Sequence, residues 1–148
     1  MCETMTLKQH VTITTALSLL VGFFWKNYSG VLLFWLGGIF LDVDHYLDYI
    51  RETGDIRISL RRMEELFLNL KEKKFYGFFH SYELIIIGLF LNFFYFKNEW
   101  LYGLLAGCAS HLILDALFNP IRARFYFFLY RLNHSFEIET CVKQKSRN

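Results

Sequence analysis

The chain has 148 residues, of which 54% are hydrophobic and 20% aromatic, with a single proline. That length suits one domain, residues 1–148, whose core can form without disulfides, and the apolar excess is more than a soluble domain of this size uses. A formal charge of +2, with Lys and Arg dispersed, offers no footprint for nucleic acid. Cys2, Cys108 and Cys141 have neither pairing nor metal-ligand spacing, which suits a reducing compartment.

Lys8 and His10 lead into a first apolar run, residues 11–25, which lacks a small-residue cleavage site and is expected to be retained. A polar turn from Lys26 to Gly30 separates it from a second run, 31–41, and a turn from Lys97 to Glu99 joins two later runs, 82–96 and 100–118. Turns this short favour antiparallel pairs. None of the four runs is an uninterrupted span of the length a free transmembrane helix prefers. The expected fold is therefore all-α: a membrane-embedded bundle of four short helices in two antiparallel hairpins, plus a cytoplasmic amphipathic helix. That extra helix is read from Ile56, Leu60, Met63, Phe67 and Leu70, which recur at spacings of three and four among Arg57, Arg61, Arg62, Lys71 and Lys74. It lies either on the anionic inner leaflet or over the bundle. Asn119-Pro120 should stop the fourth helix, and Phe125 to Leu132 reads as a short aromatic segment at the interface.

Lys and Arg also set the orientation. The central stretch and the tail carry most of them, whereas the two short turns hold only Lys26 and Lys97. By the positive-inside rule the protein is a multi-pass component of the cytoplasmic (inner) membrane with both termini cytoplasmic.

Chemistry-bearing residues gather at the ends of the apolar runs: His10, Asp42-Val43-Asp44-His45, His80-Ser81-Tyr82-Glu83, and His111 four residues before Asp115. At about 1.5 Å of rise per residue, His10 lies roughly 25 Å from the outer turn of its hairpin, Asp42 to His45 roughly 18 to 23 Å, His80 roughly 26 Å, and His111 and Asp115 roughly 18 to 24 Å. These depths place them in one slab near the cytoplasmic side. Ionisable side chains at such depth face a cavity or a partner. His111 and Asp115 share a helical face, so an imidazole and a carboxylate can bind one ion, or can pair for structure. Asp42 and Asp44 close a helix after Gly37-Gly38, where carboxylates oppose the helix dipole and a cation would offset the cost. His80 is a ligand candidate beside a helix start in which Ser81 caps and Glu83 occupies the first turn. Asp48, Glu52 and Asp55 continue the acidic motif at helical spacing and read as a solvated face. His134-Ser135-Phe136-Glu137 echoes residues 80–83 but follows no long apolar run, and reads as coincidence.

Four blocks in order, namely His10, Gly37 to His45, Gly77 to Ser81 and His111 to Asp115, resemble the YdjM-like family of inner-membrane proteins regarded as metal-dependent hydrolases. That family is distantly similar to zinc-dependent phospholipases C and related nucleases. The resemblance spans His10 to about Pro120. It departs at Phe75-Tyr76, where the family often has a His-Arg pair suited to a phosphate oxygen, leaving Lys73 or Lys74 as the substitute; Glu83 likewise stands as a replacement ligand.

The residues and the resemblance together lead to an expected membrane-bound, metal-dependent hydrolase acting on a phosphoester such as a phospholipid at the cytoplasmic face. The expected metal ligands are His10, Asp42, Asp44, His45, His80, Glu83, His111 and Asp115. Up to four imidazoles and three or four carboxylates exceed what one tetrahedral zinc needs and imply two divalent ions bridged by an aspartate, with Asp44 as the bridge or the general base. Mixed nitrogen and oxygen ligation favours zinc and admits manganese or iron. Membrane lipid is the expected partner, with Lys73, Lys74 or Arg122 attracting its headgroup. The competing readings are a noncatalytic membrane protein with a structural or regulatory metal site, and metal transport, which the absence of ligands near Lys26 and Lys97 disfavours.

Overall fold

The computed structural model describes residues 5–57, 62 and 74–137. Among them the chain is all-helical, apart from an isolated bridge between Lys74 and Glu137. The elements in order are α1 (Leu7–Phe24), α2 (Tyr28–Phe40), α3 (Val43–Thr53), α4 (Tyr82–Leu91), which runs on as a π-helical turn (Asn92–Phe96), and α5 (Glu99–Phe118). A 3₁₀ turn (Ala123–Tyr126) and α6 (Phe128–Asn133) follow. The amphipathic helix expected through Leu60, Met63, Phe67 and Leu70 falls outside the described residues, as do Lys73, Cys2, Cys141 and the basic residues of the tail beyond Glu137, whereas Arg122, Arg124 and Arg131 are described.

Polar caps decide where these helices begin. Thr6 and Gln9 form a reciprocal capping box at the start of α1. Asn27 accepts from the Gly30 N–H at the start of α2, and Asn98 accepts from Trp100 and Leu101 at the start of α5. The helices consequently start earlier than the apolar runs do. With these turns included, Leu7–Phe24, Tyr28–Thr53 (α2 and α3 taken together) and Glu99–Phe118 are each long and apolar enough to cross a membrane, while Tyr82–Phe96 is shorter.

Burial is inverted relative to a water-soluble bundle. On α1 the buried residues are His10, Thr14 and Ser18, whereas Leu19, Leu20, Phe23 and Phe24 are exposed. The same holds around α4, where Phe90, Phe93, Phe94 and Phe96 face outward and Asn92 is buried. An apolar exterior around polar interior stripes is the pattern of a chain whose solvent is lipid.

The principal packing runs between the two halves: α2 lies along α5, with α1 against α2 and α4 against α5. Glycines permit that central approach. A Cβ at Gly103 would collide with the backbone of Gly30, and one at Gly107 with the backbone of Phe34 and Gly38. This small-residue seam is how membrane helices gain contact when lipid supplies no hydrophobic drive between them. It brings the end of α2, carrying the acidic motif, beside the last turns of α5, carrying His111 and Asp115.

A candidate metal centre

Each member of the cluster arrives from a different piece of chain. His10 lies in the first turn of α1, Asp42 and His45 flank the start of α3, His80 ends the loop before α4, and His111 and Asp115 sit one turn apart near the end of α5. The rings pack together: His10 stacks on His111 with centroids 4.1 Å apart, His80 stands 5.3 Å from His111, and His45 is 4.9 Å from His80. Three overlapping groups can hold a metal ion: His10 with Asp42 and His111, Asp42 with His45 and His80, and His80 with His111 and Asp115. Asp42, His80 and His111 each belong to two of them and form the hub.

Two of the hub imidazoles have their orientation settled by backbone and carboxylate partners. Nδ1 of His111 lies 2.8 Å from the Gly38 carbonyl oxygen, which can only accept, so Nδ1 carries a proton and, in the neutral ring, Nε2 carries the lone pair. Nδ1 of His80 lies 3.2 Å from Asp44 Oδ2, which assigns it the same tautomer. Both Nε2 atoms are buried and make no hydrogen bond, as is true of Asp42 Oδ2.

The surrounding distances are informative. His111 Nε2 is 3.4 Å from both Asp42 Oδ1 and Asp115 Oδ2. His80 Nε2 is 4.0 Å from Asp42 Oδ1 and 3.7 Å from Asp115 Oδ2, and His45 Nε2 is 3.7 Å from Asp42 Oδ1. A charge-assisted hydrogen bond would close to about 2.7–2.9 Å, so imidazolium–carboxylate pairing fits these spacings poorly. Two ligand atoms each about 2.1 Å from a common ion stand at most about 4.2 Å apart. The observed spacings fall inside that limit. His10 stands on the far side, its Nε2 at hydrogen-bond distance, 3.0 Å, from Asp115 Oδ1 and its buried Nδ1 without a hydrogen-bond partner. The donor set therefore fits a divalent cation, and lone pairs facing carboxylate oxygens in a buried site are repulsive without one.

Asp44 and Glu83, read from sequence as ligands, are not brought into these groups. Asp44 Oδ2 accepts from the backbone N–H groups of Phe79 and His80 and from the His80 ring. It stands behind His80 rather than beside it at the cluster, a position suited to orienting an imidazole and not to reaching a substrate as a general base. Glu83 turns to the C-terminal segment, accepting from Phe128 N at 2.9 Å and Leu129 N at 3.1 Å, where it caps α6. Ser81 occupies the position before α4 but makes no cap there, because its hydroxyl donates to Glu83 at 2.7 Å. His134 stacks on Tyr130 and bonds to its carbonyl, apart from the cluster.

Three positions that matter were missed or misread. Asp48, expected on a solvated face, is buried and its carboxylate accepts from Tyr76 N and Gly77 N. Asn119, read only as a helix stop, donates to Asp115 Oδ1 at 2.9 Å and accepts from Met5 N at 2.6 Å, tying the N-terminal segment to the cluster. Arg131, counted only among tail charges, is fully buried and donates to the Gly77 carbonyl at 2.8 Å. Burial pulls its guanidinium down to about 10, against the opposing pull of Asp44, Glu83 and Asp48, so it remains a cation at neutral pH.

Access is one-sided. Asp42 and His45 keep 15% and 25% of their side chains exposed, whereas His10, His80, His111 and Asp115 keep no more than 4%. The α2–α3 junction is thus the most exposed edge of the cluster, which we call its mouth; Leu41, beside Asp42 in sequence, and Leu112, beside His111, are packed into the hydrophobic core with Tyr126. No family model, curated protein or solved structure matches this chain.

Proposed function

We propose that the protein is a membrane-bound, metal-dependent hydrolase acting on a phosphoester such as a phospholipid at the cytoplasmic face, in keeping with the resemblance to the YdjM-like proteins. The observation that carries this reading is the pair of buried Nε2 atoms on His80 and His111, unbonded and within 4.0 Å of the Asp42 and Asp115 oxygens, beside a mouth at Asp42 and His45. His80, His111, Asp42 and Asp115 would hold the ion, with His10 and His45 on its two flanks. Zinc is favoured by this mixed nitrogen and oxygen set, and manganese or iron would also fit. A divalent ion held there would supply Lewis acidity for activating water and for drawing charge from a phosphoryl oxygen.

The protein's own part is orientation and exclusion of water. Gly38 and Asp44 keep the two imidazoles in one tautomer, and Asn119 steadies Asp115. Two inward carboxylates balance one divalent ion. Asp44 and Glu83 are engaged elsewhere, so one ion per chain is proposed in place of two, although the four imidazoles still exceed what a single tetrahedral ion needs. Lys74 is exposed and Arg122 partly so, and these are the described cations proposed to attract an anionic headgroup.

Purified protein assayed for metal content and for release of phosphorylated headgroup from inner-membrane phospholipids tests the reading. Alanine at both His111 and Asp115 should abolish both signals. Absence of stoichiometric metal in the wild type, or turnover that survives the double replacement, would sink it. A second reading, a structural ion, is favoured by the near-complete enclosure of four of the six side chains; it predicts stoichiometric metal, melting on chelation and no turnover.

A further inference from the structure

We propose that Asp48 is a positioning residue for the metal centre, holding the 76–80 loop on α3 so that the His80 imidazole is delivered to the cluster. The inference rests on the metal-binding reading of that site and not on the hydrolytic one. Asp44 and Asp48 stand one turn apart on α3, both buried. Asp48 Oδ2 accepts from Tyr76 N at 3.0 Å and Gly77 N at 3.2 Å, at the start of the loop. Asp44 Oδ2 accepts from Phe79 N and from His80 N at 3.0 Å, at its end. Two carboxylates thus bind four backbone N–H groups of one short segment that has no helix or strand to satisfy them.

The remaining contacts enforce the same placement. Gly77 has a φ of 42°, which favours glycine, and a Cβ there would collide with the Phe75 ring. Its carbonyl accepts from His80 N at 3.0 Å and from Arg131 at 2.8 Å. The Arg131 guanidinium lies over Phe75, Phe125 and Phe128 and supplies the cation that makes burial of two neighbouring carboxylates tolerable. Arg51, on the same helix as Asp48, lies 3.6 Å from the centre of the Tyr76 ring. Asp44 grips the ligand's own residue, while Asp48 fixes where the loop departs from α3. Loss of the second grip lets the loop lift and carries the ring away from Asp42 and Asp115, although Asp48 touches no member of the hub.

The full chain in detergent, titrated with zinc against a chromophoric chelator, tests this. Asp48→Ala should weaken zinc affinity about 10-fold or more, the range seen when a residue supporting a ligand is removed, and Asp48→Asn, which retains an acceptor oxygen, should weaken it less. In a His80→Ala background Asp48→Ala should add nothing, because its effect passes through His80. With cobalt in place of zinc, the visible spectrum of Asp48→Ala should move toward that of His80→Ala. Equal losses in both backgrounds would make Asp48 a general scaffold residue and overturn the proposal, as would wild-type affinity in the single variant. Should Asp48→Ala fail to fold, the same comparison with Asp48→Asn decides between these outcomes. A wild-type chain that binds neither metal overturns both this inference and the metal reading, whereas metal binding without turnover counts against the hydrolase alone.

Discussion

Asp44 shows how one carboxylate can serve a candidate metal cluster from behind, holding the His80 ring without belonging to any of the groups that could take an ion. A histidine ligates through a lone pair, and which nitrogen carries it depends on what the other nitrogen donates to. His111 has the Gly38 carbonyl for this purpose and His80 has Asp44. Replacing Asp44 by Ala frees the His80 ring to turn and to change tautomer; it also strips the Phe79 N–H of its acceptor and leaves the His80 N–H only the Gly77 carbonyl. Zinc affinity is expected to fall about 10- to 100-fold, measured by chelator competition, with the metal-to-protein ratio at saturation unchanged. If Asp44 were itself a ligand or the shared bridge, that ratio or the cobalt spectrum would change as well. The residue types in the acidic motif were therefore legible from sequence, but their division of labour was not. Asp42 and Asp44 are separated by one residue, and only the direction of the loop bearing His80 decides which faces the cluster and which faces the loop. Asp48 was misread for the same reason: on α3 alone it continues an acidic face, and nothing local announces that residues 76–80 will settle on it.

Among the elements, the α2–α5 contact sets the distance between the halves of the cluster, because Asp42 follows α2 directly and His111 lies one turn beyond Gly107. A Cβ at Gly107 would press on the backbone of Phe34 and Gly38, which cannot yield as a side-chain tip can, so the helices must separate. Gly107→Ala is expected to cost about 1–3 kcal/mol or more of stability and to weaken metal binding with it. Gly22→Ala is the contrasting case. Its added methyl would meet Val31 at 3.5 Å, an ordinary contact, and should change stability by no more than about 0.5 kcal/mol. Thermal melting of both variants in detergent checks the pair. Apolar runs made most of the helices readable in advance, but not this seam, because nothing within one helix announces which other helix its glycines will meet. The helix starting points were harder, because Thr6, Asn27 and Asn98 extend helices into polar residues by capping, which hydropathy does not register. The C-terminal segment was harder still. Its aromatic composition suggested an interfacial helix, whereas its placement depends on Glu83 and Arg131 reaching across to loops distant in sequence.

For the whole molecule, a buried set rich in His and Asp means that the folded state is held together partly by whatever neutralises the cluster. An ion that binds only the folded chain adds about 2.7 kcal/mol at a free concentration 100 times its dissociation constant. Chelation should accordingly lower the melting temperature of the wild type, and should leave a His80→Ala, His111→Ala double variant almost unmoved. A wild type that melts identically with and without chelator would place the cluster outside the folding equilibrium. The side of the membrane on which this cluster opens decides what it can encounter. Lys26 and Lys97 flank the short turns and the cluster lies at the opposite ends of the helices, so reagent access to the turns reports the orientation of the mouth. In a background with the native cysteines replaced by serine, Lys26→Cys and Lys97→Cys should react in intact cells with a membrane-impermeant maleimide. Lys74→Cys, exposed near the loop that delivers His80, should react only after permeabilisation. The reverse pattern would turn Asp42 and His45 toward the outer leaflet, withdraw the cytoplasmic orientation argued from Lys and Arg, and exclude lipids confined to the inner leaflet as substrates, while leaving the geometry of the metal centre intact.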